Sequence, residues 1–190
     1  MIFAMMLPTT VPLFRLFRAI TSDRSNHLTL AALLATGYLS VWMVFGAVAH
    51  LADLGLHEAS EQSEWLDSNN WLIGAGTLFL AGVYQFTPLK YQCLDKCRSP
   101  FGFINSRWSG GNELRQSFQI GLDHGIFCLG CCWTLMLLMF GVGTGNMGWM
   151  LLLGGVMGIE KNMPWGRRLS TPLGVFLLGS GVLVTASHFL

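Results

Sequence analysis

The sequence predicts an all-α protein, a polytopic transmembrane helix bundle of about six spans that forms one domain over residues 1–190. Three observations favour this class. The chain is 52% hydrophobic and 11% charged, whereas soluble domains carry roughly 25% charged residues. Its Lys and Arg residues are confined to three connections. It also has four stretches without Asp, Glu, Lys or Arg that reach the roughly 20 residues a membrane-spanning helix needs, namely 25–52, 68–89, 124–159 and 169–190.

The six expected spans are apolar runs separated by polar connections. We expect the first span to be short or incomplete, because only 14 residues precede Arg15 and they include Pro8 and Pro12. Charged residues bound the second and third spans, and the glycine-rich GVGTGN at 141–146 divides the fourth from the fifth. The expected spans are 1–17, 28–52, 70–89, 117–141, 145–160 and 171–189.

The basic residues predict the orientation, because Lys and Arg concentrate in cytoplasmic loops. With six spans all eleven fall on one side, so both termini are expected on the outer face of a bacterial inner membrane, with the lipid bilayer as partner. A basic cytoplasmic loop covers 90–116, and an acidic outer loop covers 53–69. The eleven residues are Arg15, Arg18, Arg24, Lys90, Lys96, Arg98, Arg107, Arg115, Lys161, Arg167 and Arg168.

Several function classes are disfavoured by composition and motif content. The net charge of +1 gives no reason to expect a nucleic-acid partner. The sequence has no P-loop, so no nucleotide is expected. Five cysteines cannot all pair within one chain. The cysteines therefore direct attention to metal binding or thiol chemistry.

Reactive side chains cluster in the fourth span, in DHGIFCLGCCWT at 123–134. Asp123 points away from the others, and pairing with a basic residue explains it as well as a functional role does. Gly121 and Gly125 would let a neighbouring helix approach the cluster. At about 100° per residue, one helical stripe about 100° wide holds three cysteines and a histidine: His124, Cys128, Cys131 and Cys132.

A second pair, Cys93 and Cys97, lies four residues apart in KYQCLDKCRSP, so both thiols share one helix face. Thiolates and imidazole together suit copper(I), zinc or an iron–sulfur centre. A single site with Cys128 and Cys131, and with His124 as a further ligand, requires residues 90–104 to fold inward. Otherwise there are two sites, since Cys128 lies about 16 Å into its span. Buried cysteines that only pack are the simpler alternative.

Glu160 and Lys161 are adjacent in the chain, after the apolar fifth span. The simplest interpretation makes them neighbours at a helix end.

Five segments carry a family resemblance: AMMLP at 4–8, GYLSVW at 37–42, YQFTPLKYQCLDKCRSPFGF at 84–103, GLDHGIFCLGCCW at 121–133 and EKNMPWGRRLS at 160–170. Together they resemble a bacterial family of predicted metal-binding integral membrane proteins, catalogued as a domain of unknown function. The resemblance covers nearly the whole chain. It implies metal binding without a catalytic mechanism, and its motif positions correspond to Cys93, Cys97, His124, Cys128, Cys131 and Cys132.

These observations favour a membrane protein that binds copper(I) or zinc for transport or delivery. Two alternatives stay open. Adjacent Cys131 and Cys132, with the CLGC sequence at 128–131, would also suit a membrane thiol–disulfide protein. Small size and short loops would suit an accessory subunit that packs against other membrane subunits. We expect a binding protein more than an enzyme.

Overall fold

The computed structural model describes residues 2–62, 71–109, 111–142 and 147–189, and every regular element within these ranges is helical. This confirms the predicted all-α bundle. The elements are α1 (Ile2–Thr21), α2 (His27–Gln62), α3 (Trp71–Tyr84), α4 (Pro88–Arg98), α5 (Pro100–Asn105), α6 (Glu113–Val142), α7 (Met147–Asn162), a 3₁₀ helix (Gly166–Leu169) and α8 (Ser170–Phe189).

Helix α6 is the centre of the bundle. It packs against α2 over the largest interface and also contacts α3, α4 and α7, while α3 packs on α8 and α1 on α7. The main core surrounds the cysteine-bearing half of α6 and includes Tyr38, Trp42, Leu135 and Met157. The side chains of 123–134 are therefore positioned from several sides at once.

Glycines allow α2 and α6 to approach at backbone distance. A Cβ on Gly121 would lie 2.1 Å from the Leu34 carbonyl oxygen, and one on Gly37 would lie 2.3 Å from the Phe118 carbonyl oxygen. A Cβ on Gly125 would meet the Val41 side chain at 2.9 Å. The expectation that Gly121 and Gly125 admit a neighbouring helix is confirmed, and that helix is α2.

The chain bends by 66° between α3 and α4. Pro88 lacks the N–H that would continue the helix, and the Thr87 side chain caps α4 by accepting a bond from the Lys90 backbone N–H. After the bend α4 packs along α6. This is the inward fold of 90–104 that a shared cysteine site requires.

Three helices are long and apolar enough to cross a membrane in the described part of the chain: His27–Ala59, Glu113–Met139 and Gly166–His188. The bent pair α3 and α4 makes a fourth if it is counted as one span. Helices also lie where the first and fifth spans were expected, although α7 has only 16 residues. The number six stays a prediction.

Two connections expected as loops contain more helix than their charge suggested. Residues 53–62 continue α2, because Ala, Leu, Glu and Gln are good helix formers. Residues 63–69, like residues 143–146 of the expected turn, lie outside the described part. The basic segment 90–116 holds most of α4, all of α5 and the first turn of α6.

The three basic connections meet at one end of the bundle. Arg24, after α1, pairs with Glu113 at the start of α6 at 3.0 Å. Arg98 donates to the carbonyl oxygens of Met163 at 2.7 Å and Pro164 at 2.8 Å, which follow α7. The grouping of these charges is what the predicted orientation requires.

Candidate metal centre

Four of the six predicted site residues lie in the middle of α6, and all four are buried. His124 is 3% exposed, and Cys128, Cys131 and Cys132 are 1–2% exposed. All five cysteines are free thiols, and Cys97 alone among them is partly exposed. The predicted stripe therefore faces protein.

The side chain of Lys161 reaches from the end of α7 into this stripe. Its Nζ lies 2.8 Å from Cys128 Sγ and 3.8 Å from Cys132 Sγ. It also lies 3.8 Å from the thioether sulfur of Met6 on α1. Three sulfur atoms from two helices thus converge on one buried ammonium group.

Tyr38 on α2 closes another side of the cluster. Its hydroxyl lies 3.3 Å from Cys128 Sγ and 3.4 Å from the Met6 carbonyl oxygen. The thiols of Cys131 and Cys132 both donate to the Cys128 carbonyl oxygen, at 3.0 and 2.9 Å. Cys128 is therefore the most heavily contacted residue of the cluster.

The two cysteines of α4 occupy different positions. The Cys97 thiol lies within interaction distance of the Cys128 and Cys131 thiols. Cys93 instead packs against Gly130, where a Cβ would lie 2.6 Å from its sulfur. Cys97 joins the α6 thiols, and Cys93 lies beside them.

A small cavity of about 150 Å³ adjoins the thiols. His124, Lys161 and Cys97 line it together with polar residues of α1 and α7, including Thr9 and Asn162. The His124 ring contacts Tyr38 and Phe103, and its Nδ1 has no hydrogen-bond partner among the described residues. A buried nitrogen without a partner beside a cavity is available to a ligand.

A buried ion pair lies beside the cluster. Lys90 of α4 donates to Glu160 Oε1 of α7 at 2.8 Å and to the Gln85 side-chain oxygen, with both charged side chains at most 3% exposed. The Ser170 hydroxyl donates to the same carboxylate oxygen at 2.7 Å. Glu160 and Lys161 lie in the last turn of α7, at a helix end as predicted, but each side chain also enters a different buried contact, which the prediction did not include.

Asp123, one residue before His124, points outward. Its Oδ2 accepts from Arg107 Nε at 2.6 Å, and both side chains are about one-third exposed. Pairing with a basic residue was one of the two predicted interpretations, and the structure favours it.

Sequence reasoning missed Tyr38 and Lys161. Tyr38 lies in GYLSVW and Lys161 in EKNMPWGRRLS, two of the segments that carry the family resemblance. That resemblance was the available signal. The contacts of both residues depend on helix packing, which sequence periodicity does not give.

The donors suit a soft metal, although they do not form a closed ligand set. No three His, Cys, Asp or Glu side chains in the described ranges are arranged to hold a metal ion as they stand. The atoms around Lys161 Nζ are nevertheless sulfurs, and an unpartnered imidazole nitrogen lies nearby. Thiolate and thioether ligands are soft and suit Cu(I), zinc or iron–sulfur centres. The chemistry of this donor set therefore fits Cu(I).

Fold and cluster together define a class: a helical-bundle protein with a buried set of soft metal ligands. A family model named PpoB2 and described as a copper chaperone matches residues 1–184, and the chain belongs to this family. No curated protein matches the chain. No solved structure matches it either.

Proposed function

We propose that this protein is a membrane copper chaperone that holds Cu(I) among the sulfur atoms of α1, α4 and α6. One observation carries the proposal: the thiols of Cys97, Cys128, Cys131 and Cys132 lie together in the bundle, with the Met6 thioether beside Lys161. Membership of a family described as a copper chaperone also supports it.

Copper(I) fits this site better than zinc. Structural zinc sites are closed tetrahedra of four N or S ligands, and the described residues hold no arranged group even of three. Cu(I) accepts low coordination numbers and favours thiolate and thioether sulfur. The family description also names copper.

A membrane location is the second part of the proposal. Apolar side chains with more than half of their surface exposed lie on α2, α7 and α8, and among them are Val44, Leu51, Leu151 and Leu183. Lipid would cover such surfaces, whereas a water-soluble protein rarely leaves large apolar patches exposed. The three long apolar helices add to this argument. We assign the protein to the bacterial inner membrane.

Delivery requires that the metal leave as well as bind. Cys97 lies at the cavity, is partly exposed, and is within interaction distance of two buried thiols. Stepwise exchange of sulfur ligands would therefore pass copper between Cys128 and Cys97. The partner that receives copper would approach at the end of the bundle where α4 and α7 terminate.

The test is copper loading of purified protein under anaerobic, reducing conditions. The wild-type protein should retain roughly one Cu(I) per chain after removal of loosely bound metal. The Cys128→Ser, Cys132→Ser variant should retain less than about a tenth of that amount, because a hydroxyl is a poor ligand for Cu(I). Cys93→Ser is the matched control and should load like wild type, since its sulfur packs against Gly130.

Two other results decide against the proposal. Equal copper content in wild type and the double variant would make the cysteines structural. Absence of copper from wild type, with a disulfide among Cys97, Cys128 and Cys131 after mild oxidation, would favour the thiol–disulfide alternative.

A further inference from the structure

Lys161 is a buried cation with unusual neighbours. Three sulfur atoms surround its ammonium group at 2.8–3.8 Å. No carboxylate of the described residues pairs with it, and Glu160, the adjacent acid, is held by Lys90 and Ser170. A buried charge is expensive unless it is paired, so the sulfur cluster is the environment that keeps this ammonium in the bundle.

The position of the ammonium is also the position that suits a copper ion. Cys128 Sγ, Cys132 Sγ and Met6 Sδ all lie within 3.8 Å of it, and soft sulfur ligands of this kind suit Cu(I). A metal ion and the ammonium cannot share this position.

The adjoining cavity offers a place for the displaced group. Its volume of about 150 Å³ is several times the roughly 30 Å³ that a water molecule occupies in liquid. Lys161 itself lines it, and so do the polar residues Thr9 and Asn162. Arg98 also lines the cavity, but its guanidinium is bound to three backbone carbonyl oxygens around the end of α7.

We propose that Lys161 is an exchangeable resident cation: its ammonium holds the copper position in the empty protein, moves into the cavity when Cu(I) binds, and returns when Cu(I) leaves. This inference rests on the proposed copper function. Cu(I) takes the place of the ammonium charge beside the sulfur atoms, and a thiol such as Cys132 that becomes a thiolate ligand releases its proton. Competition with the ammonium also weakens copper binding, which favours release to a partner.

The three lysines of the chain make a direct experiment possible. Lys161 is buried against sulfur, Lys90 is buried in its ion pair, and Lys96 is exposed. Reductive methylation with isotopic formaldehyde, quantified by peptide mass spectrometry, reports the accessibility of each amine with and without Cu(I). We expect Cu(I) to raise modification of Lys161 several-fold, while Lys96 stays strongly modified and Lys90 stays protected in both states.

A second measurement uses Lys161→Gln, with Lys96→Gln as the matched control. If the copper position is free for about a tenth of the time in wild type, removal of the ammonium should tighten the apparent Cu(I) dissociation constant about tenfold. Lys96→Gln should leave that constant unchanged. Competition with a chromogenic Cu(I) chelator measures both.

Two results overturn this inference alone. In the first, copper is bound but Lys161 is methylated as little as Lys90. In the second, the apparent Cu(I) dissociation constant of Lys161→Gln is equal to or larger than that of wild type. Failure of wild type to bind any Cu(I) overturns the proposed function and this inference together. The copper content of the methylated samples distinguishes the two cases.

Discussion

At the scale of single residues, the bundle contains two buried lysines with different surroundings. Lys90 faces a carboxylate and an amide oxygen and is 0% exposed. Lys161 faces three sulfur atoms and no carboxylate among the described residues. The Lys90 ammonium has its charge partner and its hydrogen-bond acceptors within the protein, so its role is structural. The surroundings of Lys161 leave its charge dependent on the candidate metal ligands, which is why we assign a function to it.

The structural role of Lys90 leads to a stability prediction. Lys90→Met should lower the free energy of unfolding by about 3–5 kcal/mol, because Glu160 would be left as a buried, unpaired carboxylate. The double variant Lys90→Met, Glu160→Met should be more stable than this single variant. Denaturation in mixed micelles measures both.

The control for that prediction is the exposed pair Arg167–Asp95, in which both side chains are more than half exposed. Arg167→Met should change the free energy of unfolding by no more than about 1 kcal/mol. If Lys90→Met lowers the free energy of unfolding by no more than Arg167→Met does, the buried pair contributes little to stability.

At the scale of helices, sequence periodicity predicted the α6 stripe correctly and glycine spacing predicted its close neighbour. A straight helix has fixed angles between residues, so the burial of His124, Cys128 and Cys131 on one face follows from their spacing. The bend before Pro88 was not predicted, although a proline inside the apolar run 70–89 is itself a signal for a helix boundary. After the bend, Cys97 lies within interaction distance of the α6 thiols, whereas Cys93 packs against Gly130.

Close packing of α2 on α6 makes a second stability prediction. Gly121→Ala should destabilise the protein by about 1–3 kcal/mol, because the added methyl would lie 2.1 Å from the Leu34 carbonyl oxygen and force the helices apart. Gly76→Ala is the matched control in α3, where a Cβ meets nothing within 4 Å. It should be neutral or stabilising by about 0.5–1 kcal/mol. Equal effects of the two substitutions on the unfolding midpoint would contradict this account of the interface.

At the scale of the whole molecule, the charges and the apolar surface describe one consistent arrangement. Arg24, Arg98 and Arg167 each contact another connection at the same end of the bundle. Composition alone was enough to predict a helical bundle, because long apolar runs without charges are compatible with little else. The buried contacts of Glu160 and Lys161 were not predictable in this way, since they join residues that lie 70 and 33 positions from their partners.

The same arrangement predicts the topology of the protein in a bacterial membrane. Ala59 lies on the acidic end of α2 and Asn105 at the end of α5 among the basic connections, and both are exposed. In a Cys97→Ser background, which removes the only partly exposed thiol among the five cysteines, Ala59→Cys should react with a membrane-impermeant maleimide in intact spheroplasts. Asn105→Cys should react only after permeabilisation, because basic connections stay in the cytoplasm. If only Asn105→Cys reacts from outside, the orientation is opposite to the predicted one. If both sites react from outside, these two ends lie on one face of the membrane.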